Sequence, residues 1–268
     1  MNKYIGVFDS GLGGLTNVKE LHKILPGENI IYFGDTGRVP YGTRSDDIII
    51  KYTLQDLRFL SSFPLKAIVV ACGTVSSVAL DKVKDKVNVP IIGVVEPTCK
   101  KAINITKNGK IGIIGTEGTI KSGSYKNKIL KERADFEIFE NACPLFVPLV
   151  ENGYFNSEAT KIIANDYLLL LKEKGVDTLI LGCTHYPLLT DVIKDIMGDE
   201  VSLISPGVET AVYTKDLLER EGIINLANKQ GQTKYYVSDD TKKFSYLASM
   251  FLNEKITGTV EKINIEEW

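Results

Sequence analysis

The sequence predicts an α/β fold built from two similar three-layer α/β lobes with mainly parallel sheets. Three observations carry this. Short apolar, β-branched runs recur along the whole chain and read as buried parallel strands. Segments with helical periodicity separate most of them, and strand, helix, strand in succession is the pattern of a parallel sheet covered by helices. The third is an approximate internal repeat. KAIVVACGT (Lys66–Thr74) and DTLILGCTH (Asp177–His185) each run from an apolar strand into a small residue, a cysteine and a polar turn.

In chain order, the apolar runs place strands at Tyr4–Phe8, Ile30–Phe33, Ala67–Ala71, Ile91–Val94, Ile111–Ile114, Thr178–Leu181, Ser202–Ile204 and Lys234–Val237. The clearest helical periodicity lies at Asp46–Leu60, Ser157–Lys172, Asp191–Met197 and Glu209–Glu221. A second, looser repeat pairs YIGVFDSGLGG (Tyr4–Gly14) with KIGIIGTEGT (Lys110–Thr119); both put a Gly-rich polar turn after a first strand. The repeat period is too long for a solenoid, so duplicated lobes are expected. No Pro/Gly/Ser linker or low-complexity segment interrupts the chain.

Composition narrows the function. At 268 residues and 44% hydrophobic content the chain can bury one large core or two small ones. A net charge of −2 gives no field to hold a polyanion, so no nucleic-acid partner is expected. MNKYIGVFDSG does not read as a signal peptide and no apolar run reaches the length of a membrane span. The four cysteines, 72, 99, 143 and 183, form no CxxC pair, and His22 and His185 are the two histidines. That pattern offers neither a zinc ribbon nor a disulfide framework, so no metal site is expected. A cytoplasmic chain with reduced thiols follows.

Open α/β sheets bind ligands beyond the carboxyl ends of their strands. The residues there are Asp9-Ser10, Gly34-Asp35, Cys72-Gly73-Thr74, Glu96, Thr116 and Cys183-Thr184-His185. A cysteine at such a turn, near a helix start, is expected to have a lowered pKa. Taken singly, either cysteine could be a small apolar filler; matching places in matching halves favour chemistry. Two thiols without metal, flavin or disulfide partner suit two-base proton transfer. One takes an α-proton from one face while the other delivers a proton to the opposite face. Thiol pKa values lie close enough to neutrality for both roles, and closure of a cleft between the halves would exclude water.

Other residues carry weaker signals. Asp9 and Ser10 open the turn FDSGLGG, which lacks the dinucleotide pattern G-x-G-x-x-G. Asp9 could orient a thiol, pair with a substrate ammonium or cap a helix. His185 could activate Cys183 or be a structural histidine in a turn closed by Pro187. His22, mid-helix, reads as a surface residue. Pro40-Tyr41-Gly42 is a loop able to close over a ligand. Glu151 reads equally as a helix cap or a cleft acid. Cys99 and Cys143 read as packing residues, and Lys126–Glu132 as a solvated helix face.

Taken together, FDSGLGGL (Phe8–Leu15), DTGRVPYG (Asp35–Gly42), ACGT (Ala71–Thr74), GVVEP (Gly93–Pro97), IGTEGTIKSGSY (Ile114–Tyr125), CPLFVPLVENG (Cys143–Gly153) and LGCTHYP (Leu181–Pro187) resemble the glutamate branch of the aspartate/glutamate racemase superfamily. The resemblance runs through nearly the whole chain. It implies two lobes, 1–95 with 207–268 and 96–206, with the substrate between them, no cofactor and a homodimer. It implies Cys72 and Cys183 as the catalytic pair. Substrate contacts carry over to Asp9, Ser10, Tyr41, Gly42, Thr74, Thr184 and His185, with Glu151, Thr116 and Thr119 in support. The implied product, D-glutamate, would feed peptidoglycan synthesis. One substrate-contact position departs: Gly73 stands where the family usually has Asn, so a side-chain amide is missing. Val75-Ser76, Gly37 and Ser205-Pro206-Gly207 depart as well. An aspartate or broad acidic amino-acid racemase and a non-catalytic amino-acid-binding paralogue are the alternatives.

Overall fold

The computed structural model of the chain describes residues 3–226, 229–252, 254–256 and 258–268. From the N-terminus run β1 (Tyr4–Asp9), α1 (Leu15–Ile24), β2 (Asn29–Gly34), α2 (Asp46–Leu60), β3 (Leu65–Val70), α3 (Gly73–Val78), α4 (Leu80–Val83), β4 (Ile91–Gly93) and α5 (Val95–Ile105). A second series follows: β5 (Lys110–Gly115), α6 (Glu117–Ser122), α7 (Ser124–Glu132), β6 (Glu137–Ala142), α8 (Phe146–Glu151), α9 (Glu158–Glu173), β7 (Thr178–Leu181), α10 (Thr190–Met197) and β8 (Ser202–Ile204). The chain closes with α11 (Pro206–Arg220), β9 (Thr233–Val237), α12 (Thr241–Leu252) and β10 (Val260–Lys262).

Among the described residues these strands form two sheets, ordered β10-β9-β2-β1-β3-β4 and β6-β5-β7-β8, and the pairs within them are parallel. The repeat seen in the sequence is a repeat of topology. Strands β2-β1-β3-β4 and β6-β5-β7-β8 follow the same order, and each cysteine turn follows the third strand of its set. Parallel pairing requires every connection to cross back over the sheet, which brings the carboxyl ends and their turns to one edge of each sheet. The chain leaves the first sheet after β4 and returns to it with β9 and β10. The largest apolar cluster runs without a break from Leu12, Leu15 and Val18 to Cys183, Tyr186 and Leu189, so both halves share one core.

The eight expected strands are present, with ends displaced by one or two residues at most. The structure adds β6 and β10. Both lie at sheet edges, where one side meets solvent, and EIFENA and VEK are too polar to read as buried runs. Helix α11 starts at Pro206 rather than Glu209, since a proline is well suited to the first helical position. Ser157 precedes α9 as its cap, accepting from the Thr160 amide. His22 is half-buried rather than superficial, with Nε2 2.7 Å from Thr233 Oγ1.

The returning segment is fastened by a buried ion pair. Lys66 Nζ lies 2.8 Å from Glu28 Oε2 and donates to the Ile223 carbonyl at 2.7 Å, while Glu28 Oε1 accepts from the Asn225 amide at 2.7 Å. Removing one partner of a buried pair strands the other charge. Lys66→Met is therefore expected to destabilise the fold by about 3–5 kcal/mol, measured by urea denaturation.

Candidate active site

A cavity of about 330 Å³ lies between the two sets of strand ends. Both Cys72 and Cys183 line it, together with Ser10, Tyr41, Gly42, Gly73, Thr74, Thr116, Glu151, Thr184 and His185. Asp9 and Thr119 sit just behind this wall. Asp9 is fully buried, accepting from the Gly11 amide at 2.9 Å and from Thr184 Oγ1 at 3.4 Å. Thr119 is 3.0 Å from Thr116 Oγ1, which in turn is 3.0 Å from Thr74 Oγ1, a chain of hydroxyls crossing from one half to the other. All thirteen residues singled out from the sequence thus meet at one place. Val39, Pro40, Thr43 and Glu117 also line the cavity, as do Pro144, Val147 and Pro148, near and on α8, which were not anticipated. Their signal was in CPLFVPLVENG, where apolar residues lead up to Glu151.

The two thiols stand in different surroundings. Cys72 precedes α3, and its Sγ is 3.5 Å from Ser10 Oγ. The expected lowering of its pKa by the helix start does not hold. Burial, reinforced by the negative charge of Asp9, pushes the thiol up to about 12, and the Ser10 and Val75 contacts only reduce the rise. Cys183 lies in a turn before a short 3₁₀ segment, Tyr186–Leu189, rather than at an α-helix start. Its Sγ is 3.9 Å from His185 Nδ1, and His185 Nε2 is 3.1 Å from Glu151 Oε1. Phe251 of α12 meets the imidazole edge-on with ring centroids 5.5 Å apart. Burial opposes a charge on His185, but its bonds to Cys183 and Glu151 and their negative charges outweigh burial and raise its pKa to about 10. The imidazole is wedged between sulfur and carboxylate, surroundings that favour its protonated form.

Asp9 carries a raised pKa from burial, resisted by the charge of His185. It does not cap α1, whose N-cap is Gly14 without a side-chain bond. Thr116 caps α6 through its hydroxyl, which holds it at the cavity mouth. Cys99 and Cys143 are fully buried, and burial raises both thiols, as packing residues require. Among the described residues no group of His, Cys, Asp or Glu is arranged to hold a metal ion.

Gly73 has a packing reason. A Cβ there would lie 2.2 Å from the Gly182 carbonyl oxygen, so the space of a side chain is taken by backbone from the opposite half. Gly13 is similar: a Cβ would fall 2.0 Å from Thr184 Oγ1. At both points a Cβ could be added only if the facing group of the opposite half shifted.

The fold and site define a class: α/β proteins of two repeated halves with one thiol from each half on a shared cavity. The chain belongs to the Asp/Glu/Hydantoin racemase family, whose model matches residues 18–214. It is 44% identical over 264 residues to a glutamate racemase of Geobacter metallireducens, covering 98% of this chain and 97% of that one. Among solved structures, glutamate racemase isoform RacE1 from Bacillus anthracis superposes with a TM-score of 0.93 at 37% identity, covering 98% of each chain. Glutamate racemase from Francisella tularensis in complex with D-glutamate gives the same TM-score and identity, covering 100% of this chain and 99% of that one.

In Glu151→Gln, His185 loses a charged partner and should titrate below about 10, read by NMR with the half-buried His22 as the second imidazole signal. Gly73→Asn should lower activity instead of restoring a lost contact, because the side chain meets the Gly182 carbonyl. Gly73→Ala should cost about 1–3 kcal/mol of stability by the same clash, measured by urea denaturation.

Proposed function

We propose that this chain is a glutamate racemase, an isomerase that interconverts L- and D-glutamate with Cys72 and Cys183 as opposed acid and base and with no cofactor. The observation that carries the reading is the pair of thiols on one cavity, one from each repeated half. The close relationship to glutamate racemases over nearly the whole chain supports glutamate over aspartate as substrate. The catalytic lobes in this reading are 1–95 with 207–268, and 96–206.

The surroundings of the thiols suggest how the proton moves. Cys72 holds its proton tightly beside Asp9, whereas the Cys183 sulfur faces the His185 cation. In one direction the Cys183 thiolate takes the α-proton, leaving an electron pair at Cα delocalised into the carboxylate. Cys72 then gives its proton to the opposite face. The product has inverted configuration, and the two sulfurs have exchanged protonation states. The reverse direction runs the same steps backwards. Hydrogen-bonding groups at Ser10, Thr74, Thr184, Tyr41 and Gly42 would bind the amino acid's polar ends, with Asp9 behind the site and His185 and Glu151 at the Cys183 side. Thr116 and Thr119 support Thr74. Closure of the walls around the reacting carbon would exclude water that otherwise competes for the carbanion.

In the cell this activity fits a homodimer in the cytoplasm that supplies D-glutamate for peptidoglycan. No helix among the described residues is long and apolar enough to cross a membrane.

The test is racemisation of L-glutamate beside L-aspartate, followed by polarimetry and by α-deuterium uptake in D₂O. Glutamate should be racemised and labelled. Cys72→Ser and Cys183→Ser should each lose at least about 100-fold in kcat, since each thiol acts in both directions. Glutamate that binds yet gains no α-deuterium as either enantiomer would overturn the proposal.

A further inference from the structure

The loop at Val39–Thr43 forms one wall of the cavity. It has no regular secondary structure to set its position. Beneath it lies a charged cluster that the proton transfer does not use, and Arg38 is its hub. Arg38 Nε is 2.6 Å from Asp35 Oδ2, Nη2 is 3.0 Å from Asp56 Oδ1, and Nη1 is 2.6 Å from Gln55 Oε1 and 3.2 Å from Glu266 Oε1. The guanidinium also lies 4.0 Å over the Tyr52 ring. The two carboxylates that grip Arg38 grip Tyr41 as well: its hydroxyl donates to Asp35 and to Asp56. Asp35 and Asp56 are fully buried, and the Arg38 side chain is only 10% exposed.

The cluster reaches the end of the chain. Gln55 Nε2 donates to the Ile265 carbonyl at 3.5 Å, and Arg58 Nη1 donates to the Trp268 carbonyl at 2.7 Å. On its other side the loop meets the opposite half, where Gly118 N donates to the Gly42 carbonyl at 3.0 Å. The loop is thus pinned at Gly42 by one half and at Tyr41 by the cluster. A guanidinium has a rigid planar fork, so it can satisfy several oxygens at fixed angles in a way that an ammonium cannot.

We infer that Arg38 is a positioning residue: clamped by Asp35, Asp56, Gln55 and Glu266, it holds Tyr41 and so sets the Val39–Gly42 wall where glutamate binds. The inference rests on the racemase reading for its substrate and on the contacts above for its geometry. Small displacements of a substrate-positioning wall are costly to binding and turnover.

The test uses the full chain with Arg38→Met, Arg38→Lys and Glu266→Ala. Arg38→Met should raise the KM for glutamate by roughly tenfold with kcat within about threefold of the parent, the signature of lost binding rather than lost chemistry. Arg38→Lys, which keeps the charge and loses the fork, should recover part of this, and Glu266→Ala should give a smaller rise. Hydrogen exchange of the Tyr41–Arg44 amides should quicken in step with KM. Parent-like loop exchange in both Arg38 variants would overturn the inference, as would a fall in kcat at unchanged KM. If Arg38→Met does not fold, Arg38→Lys and the half-exposed Glu266 position carry the same readouts. Exchange needs no turnover. An inactive parent would sink the racemase reading, while loop exchange would still decide the role of Arg38.

Discussion

Backbone meets backbone where the two cysteine turns face each other, and the rest of the site depends on that contact. The Gly73 turn abuts the carbonyl of Gly182, one residue before Cys183, and the Gly13 turn abuts Thr184. Side chains at these points would hold the halves apart and widen the space between the sulfurs. At Gly73 the gap is set by contact with the Gly182 main chain, which is stiff, and at Gly13 by the buried Thr184 and His185 side chains. The shared core from Leu12 to Leu189 then holds the two halves at that separation.

Within this frame, chemistry is differentiated by charge. The topology supplies two equivalent thiols, and their neighbours make them unequal. Asp9 ends the first strand of the first half and Gly115 ends the matching strand of the second, so the acid that burdens Cys72 has no counterpart across the repeat. His185, two residues beyond Cys183, aligns with Thr74, two residues beyond Cys72. Duplication gave the site its two sides, and divergence at these few positions gave each side its own electrostatics.

Much of this was legible in the sequence. Buried parallel strands are continuous apolar runs, so β1 to β5 and β7 to β9 could be placed within a residue or two. The cysteine turns were visible because a strand followed by a small residue and Cys occurs in both halves. Edge strand β6 was hidden by its polarity, although the repeat itself called for a strand between β5 and β7 to match β2. What a linear pattern could not carry was distance. The pKa of Cys72 is set by burial and by Asp9, which is remote in sequence, so a local argument from the following helix gave the wrong sign. Gly73 reads as a deletion of a side chain until the Gly182 carbonyl is seen in its place. The Arg38 cluster draws on residues from 35 to 266, and no spacing rule joins them.

The unequal charge around the two sulfurs meets a thermodynamic limit. Mirror-image amino acids have the same free energy in water, so the equilibrium constant of their interconversion is one. The ratio kcat/KM must then be identical for the two enantiomers, whatever field the protein applies. Asp9 and the His185 cation can make one hand bind more tightly and turn over more slowly than the other, in equal proportion. They set the concentration at which each direction saturates, and leave unchanged which hand is favoured at rest.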